Sequence, residues 1–273
     1  MPIRLVSWNV NGIRSCVRKG FLSWLARERA DVVALQETRA ELEEMPAEVR
    51  RLRRFAHVAW SAARSKRGYS GVALLSRVAP LRVETSLGVE EFDREGRFLL
   101  AEHETFLVAN AYFPKGSGTL RDNSRVPYKL AFTEHVFEFL ARERRRTRKP
   151  VVVVGDLNIA PEPIDLARPK DNLGTSGFLP EERELLARYL ARDWVDTYRA
   201  LNGERVQYTW WSQRFGVRAK NIGWRIDHAI VSRDLVPRVR RAFICDDVRG
   251  SDHCPIGIEI DDAPTNGRAL VRR

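Results

Sequence analysis

The chain reads as an α/β protein made of two packed β-sheets with helices outside. Three observations predict this. Short runs dense in Val, Leu, Ile and Ala, each closed by polar residues, recur along most of the 273 residues. Some follow one another as hairpins, and others alternate with helical periodicity. One run, Val151–Gly155 (VVVVG), is apolar on both faces and should be a central strand covered on both sides.

Taken in order, the strand runs are Ile3–Trp8, Val32–Gln36, Val58–Ser61, Val72–Ser76, Leu81–Thr85, Phe98–Glu102, Phe106–Tyr112, Val151–Gly155, Ile226–Val231 and Ile256–Ile260. The first helix spans Lys19–Glu28, with Phe21, Leu22, Trp24 and Leu25. The longest spans Asn123–Arg145, where Val126, Leu130, Thr133, Phe137, Leu140 and Ala141 share a face. Asn123 or Ser124 would cap it, and Pro127 suits its first turn. A third runs from Pro180 to about Ala191, with Leu185, Leu186, Tyr189 and Leu190 inward. The basic run Arg142–Lys149 reads as a solvated helix end, where cations suit the C-terminal dipole. With no low-complexity linker, one domain over residues 1–260 is the simplest organisation. Residues 261–273 lack periodicity and read as a frayed tail.

The chain is 44% hydrophobic, enough for a large single core. Lys and Arg number 47 against 36 acids, a formal charge of +11, which favours a polyanionic partner such as nucleic acid. Arg far outnumbers Lys, so a GC-rich genome accounts for part of that surplus. Three cysteines without CxxC spacing argue against a disulfide framework and a structural zinc site. With no signal-like stretch or membrane span, a soluble cytoplasmic protein is expected, associated with the nucleoid in a bacterium.

Four polar segments each follow a strand run: SWNVNG (Ser7–Gly12), LQE (Leu35–Glu37), GDLN (Gly155–Asn158) and SDHCP (Ser251–Pro255). Strand ends are where sheets gather polar groups into a site. Asn9, Asn11, Glu37, Asp156, Asn158 and Asp252 offer hard oxygen donors of the kind Mg²⁺ prefers. Each segment alone is an ordinary turn or strand end, and their repetition points to a divalent-metal hydrolase. Asp156 and Asn158 are two apart, so both face one side of an extended strand end. The carboxylate can accept a proton from water and the amide can hold that water, which suits in-line attack on phosphorus. His253 needs a partner to fix its tautomer. Asp227, interrupting the apolar strand of GWRIDHAIVS, is the best candidate; the local alternative is that Asp227 pairs instead with Arg225 or with the adjacent His228, which as its strand neighbour faces the other way.

The ordered segments SWNVNG, LQET, GYSGVALLS, FDREGR, NAYFPKG, GDLNIAP, GFLPEERE, GWRIDH and SDHCPI resemble the exonuclease III group of AP endonucleases, in the endonuclease/exonuclease/phosphatase superfamily. The likeness runs from Ile3 to about Ile260. It implies a four-layered α/β sandwich, two mixed sheets flanked by helices, with the site at one edge. It also implies Mg²⁺-dependent cleavage of duplex DNA 5′ to abasic sites, with Mn²⁺ substituting. The products would be a 3′-hydroxyl and a 5′-deoxyribose phosphate, and 3′-phosphatase, 3′-repair and 3′→5′ exonuclease activities would act on blocked 3′ ends. Carried over by position, Glu37 is the main metal ligand, with Asn9, Asp156, Asn158, Asp252 and His253 in the metal region. Asp156 takes the proton from water, and Asn158 steadies the water or transition state. His253, paired with Asp227, and Tyr112 touch the scissile phosphate. Many relatives carry an acid where this chain has Asn11, which bears on metal number and affinity. Relatives often carry a neutral amide where this chain has Lys115, and a cation there would strengthen phosphate contact.

The segment Tyr208–Arg225 (YTWWSQRFGVRAKNIGWR) interleaves Trp210, Trp211, Phe215 and Trp224 with Arg214, Arg218, Lys220 and Arg225. Rings and cations together suit an extrahelical nucleotide and its flanking phosphates. The resemblance places Trp210 and Trp224 as walls of an abasic-sugar pocket, and Arg14, Tyr69, Lys115 and Asn221 as DNA contacts; the segment's own cations add Lys220 and Arg225 as expected DNA contacts. Trp211 reads as core packing. A monomer acting on DNA is expected, without membrane contact. Two other classes remain as alternatives. An inert nucleic-acid-binding relative would have lost one of Glu37, Asp156, Asn158, Asp227 and His253. A phosphatase or phosphodiesterase of non-DNA substrates would leave the Trp and Arg segment unexplained.

Overall fold

A computed structural model describes residues 2–118 and 122–262. The tail expected from residue 261 does not begin there: Asp261 ends a strand and pairs with Pro2, and the residues beyond Asp262 lie outside the described residues. One six-stranded sheet has the order β11-β12-β1-β2-β4-β3. Its strands are β1 (Pro2–Asn9), β2 (Val32–Gln36), β3 (His57–Ser61), β4 (Val72–Ser76), β11 (Val239–Ile244) and β12 (Ile256–Asp261). The other has the order β5-β6-β7-β8-β10-β9. It comprises β5 (Arg82–Glu84), β6 (Phe98–Glu102), β7 (Leu107–Tyr112), β8 (Val151–Asp156), β9 (Trp194–Asp196) and β10 (Asp227–Ser232). The helices are α1 (Ile13–Arg18), α2 (Phe21–Glu28), α3 (Ala47–Arg50), α4 (Glu90–Asp93), α5 (Val126–Thr147), α6 (Pro180–Arg192) and α7 (Thr197–Asn202).

Alternation along each strand produces the layers. Leu5, Val32, Val72 and Leu74 of one sheet meet Leu99, Val108, Val152 and Val154 of the other in the central core. Their neighbours Val6, Val33, Ala73 and Leu75 point outward beneath Phe21, Trp24 and Leu25 of α2. On the far side Val151 and Val153 pack against Phe132, Val136, Phe137 and Leu140 of α5 and Leu186 of α6. The result is the four-layered sandwich. A one-residue register slip would exchange the two faces of a strand, each side chain being worth about 1.5–3 kcal/mol of burial. β8 is central and buried throughout, as its apolar run predicts.

Two strands escaped prediction. β9 is three residues long, too short to show a period. β11 (VRRAFI) carries two consecutive exposed arginines, and its register shifts between Val239 and Arg241. That irregularity breaks the alternation by which a strand is recognised. The long helix begins at Val126, with no side-chain cap. Asn123 Nδ2 instead donates to Gly174 O (3.1 Å), and Ser124 bonds Asp122. On its inner face Lys129, not Leu130, is buried, and Leu130 and Ala141 are half-buried. The basic helix end is ion-paired at the surface: Arg146 with Glu143 and Glu102, Lys149 with Glu102, and Arg144 with Asp234. Among the described residues no helix is long and apolar enough to cross a membrane.

Candidate active site

Strand direction brings the polar segments to one edge. β1 runs parallel to β2, and β7 parallel to β8, so Asn9, Glu37, Tyr112 and Asp156 all stand at C-terminal strand ends. β10 and β12 run antiparallel to β8 and β1, so Asp227 and His253 reach the same edge from N-terminal ends. Within the second sheet Tyr112 pairs directly with Asp156, and Asp156 with Asp227. Below them Gln36 Nε2 donates to Asn110 Oδ1 (2.7 Å) and Ser7 Oγ (2.9 Å), while Asn110 Nδ2 donates to the carbonyls of Leu35 and Ala73. This buried amide pair ties the two sheets together directly beneath the site.

Asn9 Nδ2 donates to Glu37 Oε1 (3.0 Å) and Asp156 Oδ2 (2.9 Å), while its oxygen accepts the Asn11 backbone N–H (3.0 Å). Asn9 thus bridges the two carboxylates through nitrogen. Arg39, which sequence reasoning missed, donates to Glu37 Oε2 from Nε at 3.0 Å. Its only signal is its place two residues past Glu37. Asp156 Oδ1 accepts the Asn158 N–H (2.9 Å), and Asn158 Nδ2 donates to Phe113 O (2.9 Å). Glu37 and Asn158 both have positive φ (49° and 53°), a region sparsely populated by non-glycine residues. His253 Nδ1 lies 2.8 Å from Asp227 Oδ2, and its Nε2 faces Asp156 Oδ2 at 3.8 Å. The Asp227–His253 pairing expected from sequence is therefore present. His228 turns away, its Nε2 2.9 Å from Ile159 O.

The electrostatics follow from crowding. Burial alone would raise the Glu37 carboxyl, but Lys115, Arg39 and the Asn9 amide bring it down to about 2. Burial also raises Asp156; His253 pulls it back, Asp227 and Glu37 push it up, and it rests at about 6. Burial disfavours the His253 cation, but Asp227 and Asp156 outweigh it and lift the imidazole to about 9. Tyr112 is pushed up by burial and by Glu37. Glu37, Asp156 and His253 offer ligand atoms that lie within 4.8 Å of one another. Two carboxylates dominate that donor set, which fits a hard divalent cation such as Mg²⁺ or Mn²⁺. Asp252 stands outside this trio. Its oxygens accept from Asn11 Nδ2 (2.7 Å) and Trp210 Nε1 (3.1 Å). Burial raises its carboxyl, but His253 and those two donors leave it below the usual range.

Beside Asn158 a cleft of about 200 Å³ is lined by Lys115, Ser176, Gly177, Trp210, Trp224 and Ile226. The two indole rings meet edge to face, 6.5 Å between centroids. Lys115 is exposed, and Lys220, Asn221 and Arg14 are exposed nearby in sequence to the site segments. Tyr69 is half-buried, its hydroxyl accepting from Arg97 Nη2 (2.6 Å) and Arg125 Nη1 (3.2 Å). Trp211 is buried, as expected of core packing, with Nε1 donating to Asn221 Oδ1 (3.1 Å).

Two of the interleaved cations correct the sequence reading. Arg225 is 1% exposed and held by Asp165 (2.7 Å) and Asp196 (2.8 Å), so its guanidinium cannot reach a DNA backbone. Arg218 lies over the Trp211 ring and donates to the carbonyls of Ser251 and Val248. Arg214, Lys220 and Phe215 are left facing solvent, with Phe215 88% exposed.

Buried acid, imidazole and amide groups thus gather at the joined ends of two packed sheets, where Glu37, Asp156 and His253 could hold a metal ion. The endonuclease/exonuclease/phosphatase family model matches residues 6–253. An exodeoxyribonuclease of Bacillus subtilis is 40% identical over 264 residues, covering 95% of this chain and all of that protein. The DNA repair nuclease APEX1 of Danio rerio is 38% identical over 256 residues, covering 93% of this chain and 81% of that one. A 3′ phosphatase from Neisseria, solved bound to a product DNA hairpin, superposes with TM-score 0.85 at 27% identity, covering 95% of this chain and 99% of that one. The chain belongs to the endonuclease/exonuclease/phosphatase family, and within it to the exonuclease III-type AP endonucleases, a class of DNA repair nuclease.

Proposed function

We propose that the protein hydrolyses the DNA phosphodiester 5′ to abasic sites in the presence of Mg²⁺, and also removes blocking groups and nucleotides from 3′ ends. The observation that carries this reading is the cleft beside Asn158, whose walls are Trp210, Trp224 and Ile226. Its two indole rings suit a deoxyribose that has lost its base, and Lys115 in the same lining suits the adjoining phosphate. Glu37 and Asp156 would hold the metal, with His253 beside them. The bound metal would supply charge neutralisation on the phosphoryl oxygens. Asp156 accepts the proton of the attacking water, and Asn158 holds that water or the developing charge. His253, cationic and oriented by Asp227, donates to a phosphate oxygen, and Tyr112 donates to another. The products are a 3′-hydroxyl and a 5′-deoxyribose phosphate. Residues 1–260 act as one domain, and the protein acts as a monomer.

The test is a duplex carrying a tetrahydrofuran abasic mimic. Nicking 5′ to the mimic with Mg²⁺, and none in EDTA, is the expected result. Intact binding without nicking under any divalent cation would overturn the reading. Lys115 gives a second check. Lys115→Gln should weaken duplex binding and reduce the slope of log K against log salt by about 1, since one phosphate contact is lost. An unchanged slope would remove Lys115 from the DNA interface.

A further inference from the structure

Lys129 and Glu182 are both 0% exposed and lie 2.7 Å apart, yet neither touches the candidate catalytic side chains. Replacing a buried ion pair with apolar side chains is often neutral for stability, so stability alone does not account for its presence. Its hydrogen bonds point to another role. Glu182 Oε1 also accepts from Ser176 Oγ (2.8 Å), and Oε2 accepts from the backbone N–H groups of Gly177 (2.5 Å) and Leu179 (3.2 Å). Lys129 Nζ donates to Asn158 O (2.6 Å). Ser176 Oγ in turn accepts the Gly116 N–H (3.1 Å), beside Lys115.

The buried pair therefore links three segments of the cleft lining: Ser176–Gly177 through Glu182, Asn158 through Lys129, and Lys115–Ser117 through the Gly116 bond to Ser176. The Ser176–Gly177 backbone packs directly against Trp224, another lining residue. Gly177 has φ +99°, and a Cβ there would lie 3.0 Å from Asn158 O and 3.2 Å from Trp224 Cζ3. No spare width separates this backbone from the indole.

We propose that the Lys129–Glu182 ion pair positions the Ser176–Gly177 wall and so sets the cleft width that favours an abasic sugar over an intact nucleotide. The inference rests on the DNA repair activity proposed above. Releasing the wall would let it retreat from Trp224 and admit a sugar that still carries its base. The pair acts through Asn158 and the wall, so both are positioning residues. It also gives a physical role to the GFLPEERE segment: Gly177 forms the wall and Glu182 anchors it.

The experiment compares kcat/KM on the tetrahydrofuran duplex with kcat/KM for removing an undamaged 3′-terminal nucleotide, with Tm measured alongside. In Glu182→Gln the ratio of the two should fall by about tenfold, mainly through a higher KM for the abasic substrate. The double variant Lys129→Met with Glu182→Met leaves no unpaired buried charge and should show the same relaxed ratio. Ser176→Ala keeps both charges paired, so it decides the matter if the other variants do not fold; it should shift the ratio the same way by about threefold. Both activities falling in parallel, with the ratio unchanged, would overturn the proposal. A wild-type protein that cuts neither substrate would instead overturn the repair activity itself.

Discussion

Asp156→Asn should bind the abasic duplex like the wild type and lose nicking by about 10²–10⁴-fold, the usual worth of a positioned general base. The substitution keeps the side chain's shape and one oxygen that can accept the Asn158 N–H, now 2.9 Å from Oδ1. It removes the one property the reaction needs there, a carboxylate that takes a proton. The change relieves the like-charge crowding with Asp227 and Glu37 but sets an amide nitrogen against Asn9 Nδ2, so Tm is measured alongside. The same crowding gives a pH signature. With its carboxyl pushed up to about 6, the wild-type base is protonated as pH falls through that value, and the rate should fall with it. Single-turnover nicking and equilibrium binding, measured on the same duplex, separate chemistry from affinity. A variant that cuts at the wild-type rate would remove Asp156 from the role of base.

Asp227→Asn should lower kcat/KM by about 10²–10³-fold, comparable to removing one preorganised donor from a transition-state charge site. Asp227 Oδ2, 2.8 Å from His253 Nδ1, fixes the ring so that Nε2 faces Asp156, where the proposed mechanism puts the phosphate. It also leads the charges that outweigh burial and lift the imidazole to about 9. A raised pKa keeps the cation present through neutral pH and loses it as pH rises through about 9, so the wild-type rate should decline there. Without Asp227 the burial effect gains weight and the cation is lost at lower pH. The alkaline limb of the kcat/KM profile should therefore move toward neutrality in the variant. A limb that stays in place would mean that His253 is not the titrating group.

Much of the fold was legible because its signals are local. Val151–Gly155 could only be a strand covered on both faces, and β8 is one. The two strands that escaped were too short, as with Trp194–Asp196, or carried outward arginines across a bulge, as with Val239–Ile244. The candidate site was legible as residue types at strand ends. Its supports were not. Arg39 beside Glu37, the Gln36–Asn110 bridge and the Lys129–Glu182 pair are polar residues whose use depends on partners far along the chain.

The sequence by itself determined most of the strands, the residue types carried at their ends and the need of His253 for a carboxylate, because each depends on periodicity or on residue type. Only the tertiary structure decided which partners meet. The register that places Tyr112, Asp156 and Asp227 side by side comes from pairing across β7, β8 and β10. Burial settled the cations, turning Arg218 and Arg225 inward to carbonyls and carboxylates and leaving Lys115 at the open cleft. A charged side chain looks the same in sequence whether it meets water or a buried acid, and only the approach of distant segments distinguishes the two.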